Sequence, residues 1–132
     1  MMNKEMNIAI VGLGNIGSYF FKYLQKNKKT IFNKTNVIAK IQYVCAKSFN
    51  KKRNIKIPKN LWLKNYLQTT KSNKVDIIIE LIGGAEGPAK KLVFEALKNK
   101  KHVITANKAL VAKYGDRLSK IAEKNKVNFE FE

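Results

Sequence analysis

A chain of 132 residues with 45% hydrophobic content has room for one domain with its own core, and no apolar run in it reaches the length of a membrane span. Its single cysteine, Cys45, excludes an internal disulfide framework and a cysteine-rich zinc site, and no metal site is expected. Lys and Arg number 27 against nine acids, a net of +18, a balance that raises nucleic acid as a partner to be weighed.

In chain order, a polar lead passes directly into a first strand at 7–11, with no signal peptide pattern before it. This strand is a continuous apolar run suited to burial on both faces. Residues 15–26 read as a helix, with Ile16, Phe20 and Leu24 on one face and Lys22, Gln25 and Lys26 opposite. A polar connection at 27–36 leads to a second strand at 37–46. The basic loop SFNKKRNIKIPKN follows, then a short helix over 61–67. VDIIIELI at 75–82 is the clearest central strand. Pro88 suits the first turn of a helix whose buried stripe is Ala89, Leu92, Val93, Ala96 and Leu97, and Lys98, Lys100 and Lys101 favour its negative end. A strand at 102–105, a helix capped by Asp116 and carrying Leu118, Ile121 and Ala122, and a strand at 127–131 complete the pattern.

Alternating strands and helices predict a parallel sheet covered on both sides. Gly12-Leu13-Gly14-Asn15-Ile16-Gly17 matches G-x-G-x-x-G, between a buried strand and an amphipathic helix. That context makes the fold class α/β: a Rossmann-type doubly wound, mostly parallel sheet with helices on both faces, spanning 1–132 as one NAD(P)-binding domain. Gly12 permits the tight turn, Gly14 lets the backbone approach a pyrophosphate, and Gly17 lets helix and strand pack closely. Asn15 and Ile16 open the helix whose free N–H groups and dipole attract the phosphates.

An acid at the end of the second strand ordinarily holds the ribose of NAD. Here no acid occurs between Glu5 and Asp76. The strand ends instead at Lys47, with Lys51, Lys52 and Arg53 close behind, a cationic cluster suited to the 2′-phosphate of NADP. NADP is the expected cofactor, with NAD left open.

Ligands of open parallel sheets lie beyond the carboxyl ends of the strands. Gly83 and Gly84 follow the central strand and fall near the nicotinamide half. Thr105, Ala106, Asn107 and Lys108 leave the next strand towards the same crevice. His102, the only histidine, sits at the other end of that strand and is expected to point away. Lys108 is the candidate catalytic residue: hydride transfer to a carbonyl builds negative charge on oxygen, which a nearby ammonium stabilises or protonates. Glu80 is expected to be structural, and Cys45 a small core residue.

IAIVGLGNIGS, DIIIELIGGAEGPA and KHVITANKALVAKYG resemble successive N-terminal motifs of homoserine dehydrogenase, and together account for nearly the whole chain. The family reduces L-aspartate 4-semialdehyde to L-homoserine with NADPH or NADH, on the branch to threonine and methionine. The resemblance implies that Gly12, Gly14 and Gly17 hold the pyrophosphate, that Lys47 faces the adenosine ribose, and that Lys108 lies near nicotinamide and substrate. Lys47 departs from the arginine more usual there.

The chain stops in a strand pattern at Phe131-Glu132, where family members run on into a substrate-binding and catalytic domain. An excised cofactor domain is therefore expected, in a cytoplasmic protein that is a homodimer at full length. By itself it should bind dinucleotide without turning over homoserine, the aldehyde substrate requiring the missing part.

Three rival readings are a free-standing regulatory nucleotide sensor, the front half of another amino-acid dehydrogenase, and a nucleic-acid-binding protein. The sensor lacks the GGAEGPA and TANK segments. Nucleic acid is disfavoured because only Arg53 and Arg117 are arginines and the lysines are spread along the chain, as on a solvated surface.

Overall fold

The computed structural model describes residues 4–48 and 55–131. Five strands form one sheet in the order β2-β1-β3-β4-β5, and every pairing is parallel. They are β1 (Lys4–Val11), β2 (Val37–Cys45), β3 (Ile77–Glu80), β4 (His102–Thr105) and β5 (Phe129–Phe131). The helices are α1 (Asn15–Lys26), α2 (Lys28–Thr35), α3 (Pro88–Lys98) and α4 (Lys108–Lys124). The Rossmann-type expectation holds.

Outside β2, Trp62 makes an isolated parallel bridge to Val44, and Leu63 N donates to Val44 O at 3.0 Å. This bridge stands where the usual dinucleotide-binding order 3-2-1-4-5-6 places its third strand. The strand order switches sides between β1 and β3, so the crevice lies at the carboxyl ends of those two strands.

Both faces of the sheet are buried, which is why its strands read as unbroken apolar runs. Ala9, Val11, Ile78 and Val103 face Leu92, Val93, Ala96 and Leu97 of α3 and Leu110 and Leu118 of α4. Ile8, Ile10, Ile41 and Ile79 face Phe21 and Leu24 of α1. Each such fully buried Leu or Ile contributes about 1.5–3 kcal/mol relative to an exposed one.

Several element expectations are corrected. Residues 27–36 are not a plain connection, because α2 forms there after a one-residue break at Asn27. Its sequence KKTIFNKT has no apolar stripe and none of its residues is buried, so no periodicity announced it. The helix expected over 61–67 is instead two short 3-10 turns, Lys59–Leu61 and Tyr66–Thr70, on either side of the extended Trp62. The buried stripe of α1 runs through Gly17, Phe21 and Leu24, whereas Ile16 is 65% exposed beside the glycine loop. The last helix begins at Lys108, capped by Asn107, and Asp116 lies inside it. A mid-helix glycine such as Gly115 costs only about 1 kcal/mol against alanine and does not stop the helix. The strands β3 and β5 are shorter than the 75–82 and 127–131 expected, although Leu81 N still donates to Val11 O at 2.8 Å. Lys101 leaves the helix end and donates its Nζ to the carbonyls of Ser72 and Val75, at 2.6 and 2.8 Å.

Candidate functional site

Three loops meet at the carboxyl edge of the sheet. The first follows β1. Gly12 takes a φ of +109°, and its N–H donates to Cys45 O at 2.8 Å, tying the loop to the end of β2. A Cβ at Gly12 would lie 2.6 Å from the Leu81 carbonyl carbon, and one at Gly17 would lie 2.0 Å from Gly12 O. Both positions therefore exclude any larger residue. At Gly14 a Cβ would meet nothing within 4 Å. That opening is the cradle through which a phosphate can approach the backbone.

Gly14 is also the N-cap of α1, and no side chain caps it; no acid stands in the first turn. The opening N–H groups of α1, those of Asn15, Ile16 and Gly17, therefore suit an anion. Lys47 is exposed two residues past the Cys45 carbonyl that holds Gly12. Lys51, Lys52 and Arg53 lie outside the described residues.

The second and third loops are stitched together. Glu80, the last residue of β3, is fully buried. Its Oε2 accepts from Ile82 N (2.8 Å) and Gly83 N (2.9 Å), while its Oε1 accepts from the Thr105 hydroxyl. Thr105 is buried at the end of β4, so its hydroxyl faces inward, where Oγ1 also accepts from Asn107 N at 3.0 Å. Asn107 donates from Nδ2 to Gly84 O at 2.6 Å and accepts from Leu110 N at 3.0 Å. Lys108 follows as the first residue of α4, exposed at the same edge, and its ammonium has no hydrogen-bond or ion-pair partner among the described residues. Glu80 thus bonds backbone and hydroxyl, with no cation paired to it among the described residues, in line with the structural role expected from sequence.

A family model described as the homoserine dehydrogenase NAD-binding domain matches residues 12–132. The chain belongs to that family. Homoserine dehydrogenase of Bacillus subtilis (strain 168) is 34% identical over 129 residues, covering 98% of this chain and 30% of that enzyme. A crystal structure of the S. aureus homoserine dehydrogenase superposes with a TM-score of 0.90 at 36% identity, covering 99% of this chain and 33% of that one. A hyperthermophilic archaeal homoserine dehydrogenase, solved in complex with NADPH, shares the fold with a TM-score of 0.78 at 20% identity, covering 97% of this chain and 44% of that one. The chain thus spans about 30% of the length of the curated relatives it matches.

In this NAD-binding domain His102 lies at the far end of β4, where its Nδ1 accepts from Asn128 N at 3.0 Å, away from the three loops. Cys45 is buried, and burial pushes its thiol up to about 12, so it stays protonated. Among the described residues no group of His, Cys, Asp and Glu gathers around a common point for a metal ion, and no helix is long and apolar enough to cross a membrane.

One cluster beside the site was not anticipated. Glu86, in the loop after Gly84, pairs with Lys113 of α4 at 2.7 Å and Lys90 of α3 at 3.4 Å, and accepts from the Tyr114 hydroxyl. The Glu86–Lys90 spacing of four residues was its only trace in sequence. Lys113 first, then Tyr114 and Lys90, hold the Glu86 carboxyl down to about 2. Because its folded value is depressed, the stabilisation is complete above about pH 4.5 and is lost as pH falls towards about 2. The difference in unfolding midpoint between the unmodified protein and Glu86→Gln should be small, constant above pH 5, and shrink below it; a difference that grows on acidification would contradict this.

Proposed function

We propose that this domain binds NADP(H) in preference to NAD(H), as the cofactor-holding part of an enzyme that reduces L-aspartate 4-semialdehyde to L-homoserine. The observation that carries the cofactor preference is electrostatic. No acid stands between Glu5 and Asp76 to take a free ribose 2′-hydroxyl, and exposed Lys47 stands at the end of β2, where that group is read. NADPH in a homoserine dehydrogenase of the same fold supports the same reading.

The chain's own groups fit a dinucleotide. Gly14 leaves open space for the pyrophosphate, and the N–H groups of Asn15, Ile16 and Gly17 at the start of α1 receive its charge. Gly83, Gly84 and Thr105 shape the nicotinamide half, with Thr105 acting from beneath through Glu80 and Asn107. The nicotinamide, when bound, supplies or accepts the hydride. Lys108 is assigned the catalytic role: its Nζ stabilises the negative charge that grows on the aldehyde oxygen and delivers the proton there. In this proposal the substrate-binding residues and dimer contacts belong to the part of the enzyme that relatives carry beyond the matched length. The protein works in the cytoplasm, on the branch leading to threonine and methionine.

Lys47→Asp tests the cofactor assignment. Losing one charge-assisted contact and gaining a repulsion should weaken NADPH binding at least about tenfold, while NADH binding changes little. Fluorescence titration of both nucleotides measures this, and equal losses would refute the preference for NADP.

A further inference from the structure

We propose that Asn107 is a positioning residue for the nicotinamide half of the site, clamping the Gly83-Gly84 turn after β3 to the first turn of α4 that carries Lys108. The inference rests on the dinucleotide reading above and concerns a different half of the ligand from Lys47.

The turn has little to hold it in shape by itself. Gly83 and Gly84 both take positive φ, +91° and +86°, and a Cβ at Gly83 would touch nothing within 4 Å while one at Gly84 would meet only Glu86 O at 3.7 Å. Side-chain packing therefore does not fix this backbone, and glycine resists fixing entropically. Its position is set by hydrogen bonds from two buried side chains. Glu80 accepts from the N–H groups of Ile82 and Gly83, and Asn107 donates to the carbonyl of Gly84.

Asn107 performs two tasks with opposite ends of one amide. Its Nδ2 donates to Gly84 O at 2.6 Å, and its Oδ1 accepts from Leu110 N at 3.0 Å as the N-cap of α4. Its own N–H donates to Thr105 Oγ1, whose hydroxyl donates to Glu80. The chain Glu80–Thr105–Asn107–Gly84 thus closes a loop of bonds that ties the ends of β3 and β4 to the start of α4. Lys108 is the next residue, so the amide that fixes the turn also fixes the backbone from which the ammonium projects.

The two tasks are chemically separable. A carboxylate at this position still accepts from Leu110 N but has no hydrogen to give Gly84 O. A serine hydroxyl still caps the helix but is too short to span to the turn.

The test compares Asn107→Asp and Asn107→Ser with the unmodified chain, titrating NADPH and adenosine 2′,5′-bisphosphate, which has the adenosine half of the ligand and no nicotinamide. If the chain takes NADH instead, NADH and ADP serve in the same way. NADPH affinity should fall about tenfold in both variants, as expected for one buried hydrogen bond and the ordering it provides, and bisphosphate affinity by less than about twofold. A general loss of structure would lower both together. Equal losses for the two ligands, or failure of both variants to fold, would overturn the inference and make Asn107 a helix cap only. Binding of neither ligand by the unmodified chain would overturn the dinucleotide reading itself, and the inference with it.

Discussion

Gly17→Ala is expected to lower both stability and dinucleotide binding, whereas Gly14→Ala should lower binding alone. At Gly17 the new Cβ would sit 2.0 Å from the carbonyl oxygen of Gly12, far inside van der Waals contact, and a backbone atom cannot swing aside. Helix α1 would have to move off β1, displacing Phe21 and Leu24 from the core. Alanine has the better helix propensity by about 1 kcal/mol, which works in the variant's favour. Overpacking of this kind typically costs about 1–3 kcal/mol and more where backbone must move, so the clash wins. A net loss near 2 kcal/mol lowers the unfolding midpoint by roughly 8 °C in a domain of this size. At Gly14 the backbone (φ −75°, ψ −158°) is open to any residue, and a Cβ there meets nothing within 4 Å. Gly14→Ala should keep its midpoint within about 2 °C while its methyl group occupies the pyrophosphate approach and reduces NADPH affinity by tenfold or more. Thermal unfolding and fluorescence titration of both variants decide the matter. Unchanged NADPH affinity in Gly14→Ala would place the pyrophosphate elsewhere.

Glu80→Ala is expected to be the most destabilising single truncation at the site. Three donors converge on this carboxylate: Ile82 N, Gly83 N and the Thr105 hydroxyl. All three converge on a fully buried acid, and no cation among the described residues pairs with it. Truncation removes both acceptor oxygens and leaves three donors without a partner at once, and a buried polar group left unsatisfied costs about 1–3 kcal/mol. The expected loss is about 3 kcal/mol or more, a fall in unfolding midpoint of roughly 12 °C. Glu80→Gln, which keeps the shape and one carbonyl oxygen, should fall between the two. A Glu80→Ala protein as stable as its parent would mean that water or a rearranged turn satisfies these donors.

Much of this protein was readable in its residues because the relevant physics is local. The G-x-G-x-x-G spacing, the apolar runs at β1 and β3, and the stripe of α3 depend on neighbours within a turn or a pleat. The same holds for Cys45 and His102, whose places followed from where their strands begin and end. The family motifs are also contiguous, and the chain's membership follows from them. The errors lie where a long-range contact overrides local pattern. α2 has no buried face of its own, Trp62 is drawn into extension by Val44, and Ile16 is turned outward because Gly17 takes the place against the strand. The start of α4 is set by Asn107, whose partners include Gly84 from a loop 23 residues earlier.

The sequence by itself determined the fold class, the glycine loop, the edge of the sheet where a ligand must lie and the family, since each is encoded in spacing or in contiguous motifs. Only the tertiary structure decided which of the loop residues is closed by backbone (Gly12, Gly17) and which is open (Gly14), and that Thr105 points beneath the site. It also joined Glu80 to Asn107 and Glu86 to Lys113. The bonds concerned, Thr105 to Glu80 and Lys113 to Glu86, join groups 25 and 27 residues apart, and a hydrogen bond depends on where two atoms meet, which spacing along the chain does not specify.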